Sequence, residues 1–170
     1  MPRLLFTGLA SLVLLANAQS AQAQSGPKLR QTIKDWAIFT IKSGGDTLCY
    51  VSTEAQDKAP KNVDHGDVYF FVTSWKSGAA KQQPSLMTGY TLKTTPPPKA
   101  RVGNTRITMY ADVREAFIEE VSDERKLVNA MKKGSLLRVE ARSKRGTATT
   151  YEFSLSGITA ALQKADALCK

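Results

Sequence analysis

Strand-like runs separated by turn residues succeed one another from Trp36 to Glu119, and helical spacing begins only at Ser122. Many strands followed by two late, short helices predict a mainly β chain: an antiparallel β-sandwich-like domain rather than a βαβ fold. Trp36–Lys42 and Thr47–Thr53 flank Gly44-Gly45-Asp46, a hairpin signal. Val68–Trp75 (VYFFVTSW) is apolar on both alternating faces and predicts a central strand buried on both sides. Lys76–Pro84 reads as a polar loop, and Met87–Lys93 as another strand. Prolines cannot join a ladder, so Thr94–Pro98 reads as an extended surface crossing. Arg106–Tyr110 and Val113–Glu119 read as two further short strands.

Ser122–Lys133 carries the clearest helical signature. Ser122 is the expected N-cap, Asp123 and Glu124 suit the positive end, and Leu127, Val128 and Met131 form an apolar stripe. Lys132 and Lys133 suit the negative end, and Gly134 is expected to take the left-handed C′ conformation. Leu136–Ser143 and Thr147–Leu155 then alternate as strands joined by a bend at Lys144-Arg145-Gly146. The last helix has Ser156 as its expected N-cap, with Ile158, Ala161, Leu162 and Ala165 on one face. At about 100° per residue, Cys169 returns to nearly that same face; with Cys49 in a strand, a disulfide between the two is expected to staple this helix onto the sheet.

At the N-terminus, Arg3, an apolar run from Leu4 to Ala16 and the small-residue pattern Ala21-Gln22-Ala23 read as a secretory signal peptide over residues 1–23, cut after Ala23 or Ala18. Residues 24–31 read as a flexible tail and residues 32–170 as a single domain. Without Arg3 the 24 basic residues become 23 against 15 acidic ones, a net charge of +8 on the mature chain. That charge favours anionic partners, an anionic envelope component or a negatively charged protein, while export argues against nucleic acid. No later segment reaches membrane-spanning length. Cys49 and Cys169 are the two cysteines, and an even count in an exported chain reads as a disulfide, two buried thiols being the alternative. With His65 the single histidine, neither a metal nor any other cofactor is expected.

Serine catalysis finds little support. Ser154-Leu155-Ser156-Gly157 lacks the first glycine of a nucleophile elbow, and the only Ser-x-x-Lys match, Ser25 to Lys28, falls in the tail. Asp64, His65 and Asp67 in VDHGD form the one arrangement from which a small periplasmic hydrolase could work; the competing reading is a polar turn before a buried strand. Arg142, Lys144 and Arg145, with Ser143 and Thr147, are suited to hold a phosphate or carboxylate, with Lys132 and Lys133 joining them if the fold brings them near. The alternative is a solvated hairpin tip whose charges protect an edge from aggregation.

Taken in order, Asp35-Trp36, Leu48-Cys49-Tyr50-Val51, Gly89-Tyr90, the helix Lys126–Gly134 and Ser143–Leu162 followed by a late cysteine resemble the invasion associated locus B family of bacterial exported proteins. The resemblance covers essentially the whole mature chain. It implies a periplasmic or outer-membrane-associated β-rich domain, in a family named for a role in host-cell invasion and with no established enzymatic activity, catalytic residues or cofactor. This chain departs from longer family members in having two cysteines only, and in Ile158 where an aromatic commonly follows Ser-Gly.

Overall fold

A computed structural model describes residues 26–170; the signal-peptide reading and residues 24–25 lie outside the described residues. Two sheets form, and every strand pairing is antiparallel. The seven-stranded sheet runs β1 (Lys28–Ile33), β2 (Trp36–Ser43), β3 (Asp46–Glu54), β5 (Tyr69–Trp75), β6 (Gln83–Met87), β10 (Glu115–Phe117) and β9 (Tyr110–Asp112). The five-stranded sheet runs β4 (Asp57–Ala59), β12 (Ala148–Ser154), β11 (Leu136–Arg142), β7 (Lys99–Val102) and β8 (Thr105–Thr108). The helices are α1 (Val121–Lys133) and α2 (Ile158–Leu168).

Register decides what each sheet buries. Thr40, Cys49 and Ser74 share one row across β2, β3 and β5, and Ile38, Val51 and Val72 share the next on the same face. Both rows are buried. Facing them, Leu137, Val139, Tyr151 and Phe153 are fully buried on the five-stranded sheet, and the rings of Phe70 and Phe153 lie 5.6 Å apart between the sheets. Each such side chain contributes roughly 1.5–3 kcal/mol of burial free energy. Trp36 adds a polar tie, its indole N–H donating to the Ser154 carbonyl at 3.1 Å.

Helix α2 packs Ile158, Ala161, Leu162 and Ala165 into this core against β1, β2, β3 and β5. Cys169 follows it and is bonded to Cys49, with Cα atoms 5.8 Å apart. The expected staple of the last helix to the sheet is therefore present.

Several local expectations are corrected. Residues 28–31 are not tail but most of β1, an edge strand paired to β2. Its side chains are almost all exposed, so it carries no apolar alternation to read. Strand β6 occupies part of the expected 76–84 loop, and Val113–Glu119 is not one strand: Val113, at φ 50°, turns the chain between β9 and β10. Val68–Trp75 is central in its sheet but buried on one face only, leaving Tyr69, Phe71 and Trp75 half-exposed.

The helix caps also differ. Helix α1 starts one residue earlier, with Glu120 at the N-cap and no side-chain cap from Ser122. Gly134 is extended, at φ −93° and ψ 175°; its role is close packing, because a Cβ there would lie 2.4 Å from Val102 Cγ1. The N-cap of α2 is Gly157 rather than Ser156; its φ of 94° favours glycine, and a Cβ would meet the Ile33 carbonyl at 2.5 Å.

Candidate functional site

His65 sits between the two sheets' connections rather than on an open turn. It is buried while Asp64 and Asp67 beside it are exposed. The Pro60 carbonyl can only accept, so Nε2–H donates to it at 2.9 Å, and Nδ1 is hydrogen-bonded to the Tyr151 hydroxyl at 2.9 Å. The Tyr151 and Tyr90 hydroxyls are hydrogen-bonded at 2.6 Å, and Tyr90 reaches Thr149 Oγ1 at 2.7 Å. Burial pushes the Tyr151 phenol well above the usual tyrosine range, with the Tyr90 hydroxyl adding to the effect, and burial also raises Tyr90.

Neither carboxylate completes an acid/base pair with His65. Asp64 Oδ1 instead accepts from the Gly66 N–H at 2.8 Å, closing its own turn. The dimple beside His65 measures about 20 Å³ and is lined in part by Asp64, Tyr90 and Arg145, room for about one water. Gly89 makes the arrangement possible: a Cβ there would lie 2.4 Å from the His65 carbonyl. The Gly89-Tyr90 step thus lets the backbones meet and supplies one hydroxyl of the chain. The His65, Tyr151, Tyr90 and Thr149 network is a buried polar tie between loop and sheet.

The basic residues singled out from sequence do not form one patch. Lys144 and Arg145 project from the β11–β12 tip and are exposed. Arg142 braces that tip, Nη1 donating to the Gly146 carbonyl at 2.7 Å, and Ser143 Oγ accepts from the Thr147 N–H at 3.1 Å. Lys133 lies just before β11 and Lys144 just after it, so the strand separates them by roughly 20 Å at about 3.3 Å per residue. Lys132 is turned to Gln82, donating to its Oε1 at 3.1 Å. Arg142, Lys144 and Arg145 therefore stay together, and Lys132 and Lys133 do not join them.

What the sequence reading missed is a difference in charge between the two outward sheet faces. By register, the solvent face of the seven-stranded sheet aligns Leu29, Phe39 and Tyr50 in one row, and Ser52, Phe71, Phe117 and Tyr110 in another. Phe39 stacks on Tyr50 at 5.2 Å, and Tyr50 meets Phe71 edge-on at 5.8 Å. The charged residues that share this face are Asp46, Glu54, Asp112 and Glu115, all acidic. The solvent face of the five-stranded sheet carries Lys99, Arg101, Arg106, Arg138 and Arg142 together with the acids Glu140, Glu152 and Asp57, five basic residues against three acidic ones. Alternation along single strands could show each outward residue, but not which strands lie side by side.

The family model for the invasion associated locus B (IalB) protein matches residues 36–166, from the start of β2 almost to the end of α2. The chain belongs to the invasion associated locus B family. Within the family span fall Cys49, His65, the arginine-bearing strands and the whole β11–β12 hairpin. The crystal structure of invasion associated protein B from Bartonella henselae is similar in fold, with a TM-score of 0.58 at 15% identity, covering 83% of this chain and 97% of that one. Among curated proteins, none matches. Among the described residues, no helix is long and apolar enough to cross a membrane.

Proposed function

We propose that this family member is an exported, envelope-associated binding protein without catalytic activity, holding an anionic envelope component on its basic side. The observation that carries the reading is the charge difference between the faces: five cations against Glu140, Glu152 and Asp57 face outward on the five-stranded sheet, with Lys144 and Arg145 exposed at its hairpin tip, while the charged residues of the opposite sheet face are all acidic. Charge arranged on one side raises the local concentration of an anionic partner more than the same charge scattered. The leader-like N-terminus and the Cys49–Cys169 bond support a periplasmic or secreted location, where disulfides persist. The hydrolase reading is not favoured, because both ring nitrogens of His65 are engaged by Tyr151 and Pro60. For the relative, "invasion associated" belongs to its name; for this chain, a contribution to host-cell association is a proposal that follows from surface binding.

Retention of the mature chain on immobilised lipopolysaccharide tests the reading. It is expected to fall as salt is raised and to fall further for K144A/R145A. Retention indifferent to both salt and mutation contradicts it.

A further inference from the structure

Three arginines from three strands stand in a single row. Arg138 on β11 is directly opposite Arg101 on β7, and Arg101 is directly opposite Arg106 on β8. Directly opposed residues have Cβ atoms about 4.5–5.5 Å apart, and like charges in such positions repel. Arg138 is relieved from its other side by Glu152, to which its Nε donates at 3.0 Å and with which it forms an ion pair. The remaining ion pairs of the described residues, Lys58 with Glu54 and Lys61 with Asp57, leave Arg101 and Arg106 without a carboxylate. One end of the row opens into a depression of about 330 Å³, lined by Arg101, Arg138, Gly103, Gly134, Ser135 and their neighbours. That is the low end of the range for small-ligand sites, about 300–1,000 Å³.

We infer that this depression is a phosphate-binding site, with Arg101 as the cationic donor in its wall, Arg138 completing the wall, Ser135 offering a hydroxyl, and Arg106, directly opposite Arg101 and outside the lining, adding the second positive charge. The charge arithmetic selects the ligand. Arg138 and Glu152 cancel, so Arg101 and Arg106 leave a surplus of two positive charges, matched by a phosphomonoester at about −1.5 to −2. Guanidinium forks also fit phosphate oxygens bidentately, which lysines cannot do. Gly134 shapes the wall, since its missing side chain lets the α1–β11 link lie against Val102. The site rests on the reading of the basic side as a binding surface, and it is distinct from the hairpin tip at the far end of β11.

The test titrates inorganic phosphate into the mature chain by calorimetry, and sediments the chain with phosphatidylcholine vesicles with and without phosphatidic acid, whose headgroup is a phosphomonoester. Variants are R101A, R101A/R106A, R101K/R106K and K144A/R145A, each checked for folding by thermal melting. Wild type is expected to bind saturably, with affinity falling about tenfold for each guanidinium removed; the lysine pair is expected to weaken binding despite its charge, and K144A/R145A to leave the phosphate titration unchanged. Phosphate heat without vesicle retention assigns free phosphate; retention lost in R101A/R106A without phosphate heat assigns the lipid headgroup. Wild-type binding that survives in R101A/R106A or is equal in R101K/R106K overturns the site, as does no binding in either arm. If R101A/R106A is silent while K144A/R145A loses salt-sensitive lipopolysaccharide retention, the site fails and the broader function stands. If neither pair alters either readout, both fail.

Discussion

Cys49, buried on the inner face of β3, is bonded to Cys169 beyond the end of α2 across a sequence separation of 120 residues. The bond closes nearly the whole domain into a loop and holds the last helix on the sheet core. Closing a loop of that size restricts the unfolded chain by about 5 kcal/mol in the chain-entropy model. Reduction, or the pair Cys49→Ser and Cys169→Ser, is expected to lower unfolding stability by about that amount. Denaturant midpoints with and without reductant check this, and coincident midpoints contradict it.

Tyr151 is fully buried, and its hydroxyl joins His65 to Tyr90. Tyr151→Phe removes that hydroxyl and leaves His65 Nδ1 without its partner inside the fold. A buried polar group left unsatisfied costs about 1–3 kcal/mol. Stability in urea should fall by that amount while lipopolysaccharide retention stays as in wild type; retention lost at unchanged stability would show a binding role instead.

At Gly134 the backbone is one that any residue adopts, so Gly134→Ala acts through packing alone. The new methyl would overlap Val102, which is itself buried, and such overpacking costs about 1–3 kcal/mol. A thermal melt should show the loss, and adding Val102→Ala should restore part of it. A Gly134→Ala protein as stable as wild type would remove the packing account.

Glu124, in the first turn of α1, is 5% exposed, and burial raises its carboxyl above the ordinary 4.5, against a smaller lowering by Gln83. Its folded state holds the proton more tightly than the unfolded chain does, so this group favours folding when protonated, and that contribution is lost as pH rises from its ordinary value through the raised one. Glu124→Gln keeps the acceptor for Gln83 and removes the charge. Its melting temperature should exceed wild type at neutral pH and converge with it in acid; a gain independent of pH would assign the effect to something other than ionisation.

The two hairpins were legible from sequence because their turns are local: Gly44 and Gly45 both take positive φ, and Gly146 does so at the β11–β12 bend. Residues 158–165 announced the buried face of α2 by spacing, and the pair of cysteines announced the staple. Strand β1 was hidden by its exposure, and the caps were misread because Gly134 and Gly157 answer to neighbours, Val102 and Ile33, far away in sequence. The arginine row is of the same kind. Arg138, Arg101 and Arg106 meet only through a strand order in which β11 lies beside β7, an arrangement no window along the chain contains.

Sedimentation of the mature chain with vesicles across a range of ionic strengths tests the central claim most directly. Wild type should be retained on phosphatidic acid vesicles at low salt, released as salt rises, and never retained on phosphatidylcholine alone. A variant carrying R101E, R106E, K144E and R145E should stay in solution throughout. Retention of that variant equal to wild type, or retention of wild type that ignores salt, would contradict a basic face built to hold an anion.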